Sequence, residues 1–497
     1  MTKNRVIIAE KSRGVGSLPF LAGPYPETTQ FAPGASTMLV SFSVSNFRSF
    51  GEEVTLNMVA SGRYQDHPTH VMPLPDVDRS VVRTAVIYGA NAAGKSNLIR
   101  AMDSAQKWIL GQADALWPVT AHTFQQNAEE KPSSFEFRFV AAGRIFAYGF
   151  DVVRRSIRGE WLALVHADDD EVLFERNAEG QTNVGEAVVK KRFTDDPKIL
   201  KLLKSLCEND INDSQLFLHS IREVRAGSQG PTMAAVVQWL TRTLVVIPME
   251  QAHEHVLNRL ARDPEYLGFA EALLGSVGTG IDRLDIEERE RRIPDEMRES
   301  FDAIGRHVSE NPDTDTVFSR TPQARDRYMA RYLMAKHSLG GKEYKIPMRE
   351  ESDGTRRLLA LAPLLMAGKE EPRVFVVDEL DRSLHPLLCW EFLRLFADTM
   401  PGAQRQLVVT THEAHLLHQD LLRRDEYWFM EKDETQQSRL YPLSDYRNIR
   451  NDLQLEKGYL NGRFGALPII GRMDDIEALL ASPGKEPASD ASEATSA

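Results

Sequence analysis

The sequence predicts an α/β fold in two lobes separated by a mainly helical insertion, and three observations predict it. The apolar run Ala85-Val86-Ile87-Tyr88 leads into Gly89-Ala90-Asn91-Ala92-Ala93-Gly94-Lys95-Ser96, after which Leu98, Ile99, Met102 and Ala105 recur at helical spacing. A second apolar run, Val374-Phe375-Val376-Val377, ends in Asp378-Glu379. A third, Leu407-Val408-Val409, runs on into Thr410-Thr411-His412. Short buried strands alternating with amphipathic helices read as α/β.

The elements follow in chain order. Residues 1–37 are rich in Gly, Pro, Ser and Thr without periodicity, and are expected to be a disordered extension. From Met38, Val40, Phe42 and Val44 alternate with Ser41, Ser43 and Ser45, a half-buried strand; Val54, Leu56 and Met58 repeat the pattern as its antiparallel partner. Residues 38–180 form the first lobe, strand-rich where Phe135, Phe137 and Phe139 or Val172 and Phe174 alternate, with one clear helix from Lys95. Residues 181–340 are charge-laced and expected to be mainly helical, for example over 197–207 and 233–244. Residues 341–475 return to strand and helix as the second lobe, and 476–497, rich in Ala, Ser, Glu and Pro, are expected to be a disordered tail. No repeat of 20–50 residues and no sustained heptad pattern is present.

Composition narrows the function classes. The chain has 497 residues, 42% apolar and 27% charged, which suits a globular protein with a sizeable core. No run approaches the roughly 18 apolar residues that span a bilayer. Sixty Lys+Arg against 72 Asp+Glu give a net charge of -12, which argues against a strongly basic nucleic-acid binder and leaves a local basic groove open. Cys207 and Cys389 lie far apart in no metal-like spacing and read as reduced thiols. The apolar run from Val6 to Ala9 is too short for a signal peptide, so a cytoplasmic protein is expected.

Residues 89–96 match Gly, four residues, then Gly-Lys-Ser, with a strand before and a helix after. Glycines at 89 and 94 let the backbone wrap a phosphate, and the amides and the helix N-terminus supply positive partial charge. In this pattern Lys95 neutralises the β and γ oxygens of ATP and Ser96 places its hydroxyl on Mg2+. Asp378, at the end of an apolar strand, is the expected second Mg2+ ligand, and Glu379 the residue that orients or deprotonates the attacking water. Ser352-Asp353-Gly354-Thr355 precedes an amphipathic helix; by itself it also reads as a plain N-cap.

Taken in order, residues 89–96, 352–355, Asp378-Glu379, Ser383-Leu384-His385-Pro386 and His412 resemble an ABC-type nucleotide-binding head of the SMC/RecF kind. The resemblance implies that Ser352 and Gly354 form a signature turn touching the γ-phosphate bound to a second subunit. It makes residues 383–385 the D-loop at the dimer interface and His412 the switch histidine on the γ-phosphate. Asn46-Phe47-Arg48-Ser49-Phe50 is similar to the first strand of such heads, where Arg48 lies near the nucleotide. Nucleotide contacts are expected from Gly89, Asn91, Ala92, Ala93, Gly94, Lys95, Ser96 and Asn97 as well. More narrowly, residues 46–50, 89–97, 351–355, 378–386, 424–429 and 456–465 resemble the stand-alone AAA family ATPases of the abortive-infection, RloA-like group, encoded in phage-defence operons. Two departures stand out: Asp353 occupies a place where transporters carry a small residue, and the Q-loop has only Gln125 and Gln126 as candidates.

The resemblance implies a homo-oligomer of ATP-sandwiched heads and a separate effector, a toxin or a nuclease. Two other functions are compatible with the motifs: a RecF/SMC-like DNA-binding repair ATPase, and a nucleotide-gated scaffold that does not hydrolyse. The remaining clusters have plainer readings. His412, His415 and His418 do not share one tight helical face for zinc. Glu431, Asp433 and Glu434 could suggest nuclease carboxylates, but the related OLD-type nucleases add a Toprim domain too large for the roughly 85 residues after His412. Arg289, Arg291 and Arg292 among Glu287, Glu288 and Glu290 read as a solvated helix face, and Arg320, Arg325, Arg327 and Arg331 as a basic surface.

Overall fold

The computed structural model describes residues 37–75, 77–112, 120–166, 170–184, 213–223, 231–247, 263–292, 316–320, 327–367, 371–446 and 454–467, together with 197, 198, 201, 205, 260 and 449. The expected extension before residue 37, the helix over 197–207 for the most part and the expected tail over 476–497 lie outside the described residues.

Strands β1 (Met38–Ser45) and β2 (Val54–Asn57) pair antiparallel as their alternation predicts, with Phe42 opposite Leu56. A small ribbon, β3 (Val71–Pro73) and β4 (Ser80–Val82), leads into β5 (Thr84–Gly89) and helix α1 (Lys95–Leu110). Strands β6 (Ser133–Ala141), β7 (Arg144–Val153), β8 (Ser156–Leu164), β9 (Glu171–Arg176) and β10 (Thr182–Val184) then meander outward from β1. They complete a seven-stranded antiparallel sheet in the order β10-β9-β8-β7-β6-β1-β2.

After α2 (Phe217–Glu223), α3 (Pro231–Gln238) and a π-helical turn over Trp239–Thr243 comes β11 (Leu244–Ile247). Helix α4 (Pro264–Ser276) precedes β12 (Arg283–Arg292), β13 (Thr316–Arg320), β14 (Arg327–Leu339) and β15 (Lys342–Pro347). The second half of the chain supplies α5 (Asp353–Met366), β16 (Arg373–Val377), α6 (Pro386–Asp398), β17 (Arg405–Thr410), β18 (Tyr427–Lys432), β19 (Ser438–Pro442) and α7 (Leu455–Leu460). The central sheet runs β11-β16-β17-β5-β18-β19, parallel throughout except for the last strand.

Its buried strands read as continuous apolar runs because both faces are covered. On β5, Ala85 and Ile87 join the core shared with the antiparallel sheet and α1, while Val86 and Tyr88 join the core under α4, α5 and α6. Val374 and Val376 against Phe375 and Val377 divide the same way, as do Trp428 and Met430 against Tyr427 and Phe429. A period of two thus builds two cores on one sheet. Buried Gln406 ties the sheets together, accepting from Leu39 N at 2.6 Å and donating to Leu39 O at 3.1 Å and Val82 O at 3.0 Å.

One expectation is corrected. Residues 181–340 divide between helix and strand where described. Leu244, expected to end the helix over 233–244, instead opens the strand Leu244-Val245-Val246-Ile247, which pairs parallel with β16, and β12, β13 and β14 form an antiparallel sheet with β15. The alternating charges of β12 find partners across strands rather than along a helix: Glu288 meets Arg331 at 2.7 Å and Asp285 meets Lys345 at 2.7 Å. Arg289 therefore sits on a strand, 2.9 Å from Glu287 and over the Tyr332 ring, and Arg291 and Arg292 continue that strand. Gly340 and Gly341, both at positive φ (60° and 79°), make the two-residue hairpin turn into β15. The two lobes share a sheet: β5 of the first pairs on both sides with strands of the second, so the central sheet is built from both.

Arg405, 0% exposed, shows how the helices are anchored on this sheet. Its guanidinium donates to the carbonyls of Leu365, near the end of α5, and of Leu395, Phe396 and Thr399, at the end of α6. These are the carbonyls that a helix terminus leaves without internal donors. Burial, with Arg83 adding a smaller effect, lowers its pKa to about 10, which still leaves it charged. Arg405→Met should lower stability by about 3 kcal/mol in urea unfolding, because buried carbonyls lose a charged donor.

Candidate nucleotide-binding site

The parallel strands β16, β17 and β5 deliver their carboxyl ends side by side. Leu380 N donates to Thr410 O at 2.9 Å and Thr411 N to Ile87 O at 3.1 Å, which fixes the three loops relative to one another. The loop after β5 turns through positive φ at Ala92 (64°) and Gly94 (114°) into α1. A side chain at Gly94 would run into Ser438 and Ser49, and one at Gly89 into the Met430 carbonyl, so close approach requires glycine at both positions and conformation requires it at Gly94 as well.

Lys95, 5% exposed, folds back on its own loop, donating to Gly89 O at 2.7 Å and Ala90 O at 3.2 Å; His412 Nδ1 lies 3.5 Å from its Nζ. Burial lowers the lysine pKa to about 8, against the pull of Asp378, Asp381 and Glu379. Burial first, and Lys95 second, also lower that of His412. The His412 amide donates to Asp381 Oδ2 at 3.2 Å.

Asp378, buried, is the centre of the constellation. Its Oδ1 accepts Ser96 Oγ at 3.2 Å and Thr410 Oγ1 at 2.6 Å, so the two expected Mg2+ ligands stand together. Glu379 sits at φ 49° and its amide donates to Thr410 Oγ1 at 2.8 Å. Thr410 and Asp381 were not singled out by sequence; a threonine ending a β strand carries no distinguishing pattern. Arg357, also missed, reaches from α5 to donate to Asp378 O at 3.1 Å and Glu379 O at 2.9 Å.

Ser352 does cap α5, its Oγ accepting Thr355 N at 3.1 Å, so the plain N-cap geometry holds at the expected signature turn. The turn also abuts the expected D-loop: a Cβ on Gly354 would lie 2.6 Å from Ser383 O, and Ser383 itself is at φ 60°. Ser352 and Asp353 are exposed, as are Asn91 and Ala92 of the phosphate loop.

The turn over residues 46–50 rests on the phosphate loop. Asn97 Nδ2 donates to Ser49 Oγ at 2.9 Å, Ser438 N to Ser49 O at 2.8 Å, and Ser438 Oγ to Ala93 O at 2.6 Å. Asn97, expected to contact nucleotide, is thus engaged in holding this turn. Arg48 is at φ 51°, its amide donates to Thr120 O at 2.9 Å, and its Nε makes no hydrogen bond among the described residues. Asn46 organises the neighbouring loop, donating to Ala128 O at 2.8 Å and Lys131 O at 3.0 Å. Gln125 lines a cleft of about 1240 Å³ with Arg154, Arg155 and Arg158, and Gln126 is exposed.

A family model described as "AAA domain, putative AbiEii toxin, Type IV TA system" matches residues 85–180 and 259–418, more than half of the chain. The chain belongs to this AAA domain family. No curated protein matches it. Solved structures similar to it include the SMC head bound to the C-winged helix domain of ScpA, at 11% identity over 81% of this chain and 97% of that one, with a TM-score of 0.35. An SMC head domain from Thermotoga maritima is 14% identical over 81% and 98%, with a TM-score of 0.35. An Smc head with an extended coiled coil, bound to a ScpA domain derived from Pyrococcus furiosus, is 13% identical over 86% and 99%, with the same score.

The other sequence candidates are engaged elsewhere. His415 pairs with Glu456 at 3.0 Å and His418 with Asp420 at 3.5 Å, so the three histidines are not gathered on one ion. Asp433 shapes a turn by accepting from Thr435 and Gln437, and Glu431 accepts Ala466 N at 3.2 Å. Cys389 is buried, which pushes its thiol up to about 12, and Cys207 lies outside the described residues. Arg331 pairs with Glu288; Arg325 and the side chains of Arg320 and Arg327 lie outside the described residues. Among the described residues, no helix is long and apolar enough to cross a membrane.

A neutral Lys95 cannot pair with phosphate, so nucleotide binding must restore its proton as pH rises through 8. Nucleotide affinity should weaken about ten-fold from pH 7 to pH 9, read by titration with a fluorescent nucleotide. Lys95→Arg, whose charge does not titrate there, should give a flat profile.

Proposed function

We propose that this chain binds ATP with Mg2+, hydrolyses it when two heads close on each other, and serves in the cytoplasm as the regulatory subunit of a bacterial anti-phage, abortive-infection system that controls a separate effector. The observation that carries the reading is the convergence of Lys95, Ser96, Asp378, Glu379 and His412 at the carboxyl ends of β5, β16 and β17. A hydroxyl and a buried carboxylate 3.2 Å apart are hard oxygen donors that fit Mg2+. Ser96 and Asp378 would hold it, and when bound it supplies positive charge to the β and γ oxygens. Lys95 would leave the carbonyls of its own loop for those oxygens. Glu379 would orient the attacking water, and His412, held through its amide by Asp381, would face the γ-phosphate.

Dimer closure is supported by exposure: Ser352 and Asp353 on one rim and Asn91 and Ala92 on another are open to solvent, as a signature turn and a phosphate loop awaiting a second head must be. The defence role and the separate toxin or nuclease rest on the family's description and on the RloA-like motifs at residues 351–355 and 456–465. The net charge of -12 favours a protein effector over DNA as the partner.

Light scattering coupled to phosphate release tests this. Wild type should dimerise with Mg-ATP and turn over, whereas Glu379→Gln should stay dimeric with release reduced about a hundred-fold or more. A fixed oligomer blind to nucleotide would overturn the switch and leave a scaffold. ATP-dependent, salt-sensitive DNA affinity would favour a RecF/SMC-like repair ATPase instead.

A further inference from the structure

A second cluster lies apart from the nucleotide site and does not depend on the function proposed for it. His67, His70 and Asp398 each offer a ligand atom within 4.8 Å of the others. His67 caps a 3-10 turn over Pro68–His70 in a left-handed conformation, φ 50°, and its ring lies 4.6 Å from that of His70. Its Nε2 faces Gln419 O at 2.8 Å. His70 has a fully buried side chain, with Nδ1 2.9 Å from Glu426 Oε2 and Nε2 3.0 Å from Asp398 Oδ1. Glu426 is also fully buried; its Oε2 accepts Arg423 N at 2.8 Å, and its Oε1 makes no hydrogen bond among the described residues. Asp398 ends α6 with its side chain 44% exposed, which opens the cluster to solvent on one side.

We propose that a ring nitrogen of His67, His70 Nε2 and Asp398 form a binding site for a divalent metal ion of the zinc type, with Glu426 fixing the His70 tautomer from behind. Two imidazoles and a carboxylate, with water in the fourth place, are a donor set suited to zinc. A carboxylate on the far nitrogen of a ligating histidine is the usual support for such a ligand, because it fixes the ring and raises its basicity. The 3.0 Å between His70 Nε2 and Asp398 Oδ1 is close to the separation of about 3.3 Å between neighbouring corners of a tetrahedron with bonds near 2.05 Å. A dication here would take the place of the His70 Nε2 proton between the ring and Asp398 and release that proton to solvent. The Arg83 guanidinium donates to the carbonyls of Pro401 and Ala403 and is close enough for its charge to interact with Glu426. Bound metal would join the turn before β3 to the end of the helix that follows the D-loop.

The test uses the full chain, freed of nucleotide and treated with chelator, then titrated with Zn2+ and, as an optical probe, Co2+. Wild type should hold one Zn2+ per chain after dialysis, show visible Co2+ bands and gain thermal stability with Zn2+. His67→Ala and Asp398→Asn, which spare the buried His70–Glu426 pair, should each weaken affinity at least ten-fold. Absence of stoichiometric binding, or equal affinity in wild type and both variants, would overturn the site and leave the cluster a buried ion pair.

Discussion

One carboxylate oxygen, Asp378 Oδ1, holds the candidate site together. It ends β16, receives Thr410 from the end of β17, and receives Ser96 from the helix that follows β5. Three strands distant in sequence are therefore brought into register at the atoms that matter. Thr410 extends the arrangement by accepting the Glu379 amide while donating to Asp378, so the pair of acids is set by one hydroxyl. A buried carboxylate needs such donors, because burying charge without hydrogen bonds is unfavourable by several kcal/mol.

The buried cations follow a related rule. Lys95, Arg357 and Arg405 all rest on main-chain carbonyls. For Arg405 this is structural: it gathers the ends of two helices. For Arg357 it places a residue of the helix behind the expected signature turn directly on the peptide groups of Asp378 and Glu379. A movement of that helix is therefore felt at the acids without any side chain having to travel between them. For Lys95 the carbonyls are an exchangeable resting place, since phosphate oxygens are stronger acceptors than amides.

Much of the site was legible because its residues sit at ends of strands marked by apolar runs. Gly89, Gly94, Lys95, Ser96 and Asp378 needed only a strand before them and a fixed spacing. Thr410, Asp381 and Arg357 were not legible, since their roles come from the arrangement of strands and helices in space. The strands of residues 283–339 were missed for a physical reason. Alternating Glu and Arg read equally as ion pairs along a helix or across a ladder, and only the Gly340-Gly341 hairpin distinguishes the two. The mixing of the lobes was hidden too: a strand's sequence records that both its faces are buried, but not which strands lie beside it.

That mixing bears on how the chain is made. β5 has no neighbour from its own half in the central sheet; both its partners are β17 and β18, and Lys95 and His412 are 317 residues apart. At ordinary translation rates β5 emerges on the order of 15 to 60 s before those partners. Throughout that interval an apolar strand with two open edges waits on the ribosome, the kind of surface that chaperones shield and that aggregates otherwise nucleate upon. Synthesis of a usable phosphate loop is thus a late event, and a chain truncated before β17 should carry every phosphate-loop residue and bind no nucleotide.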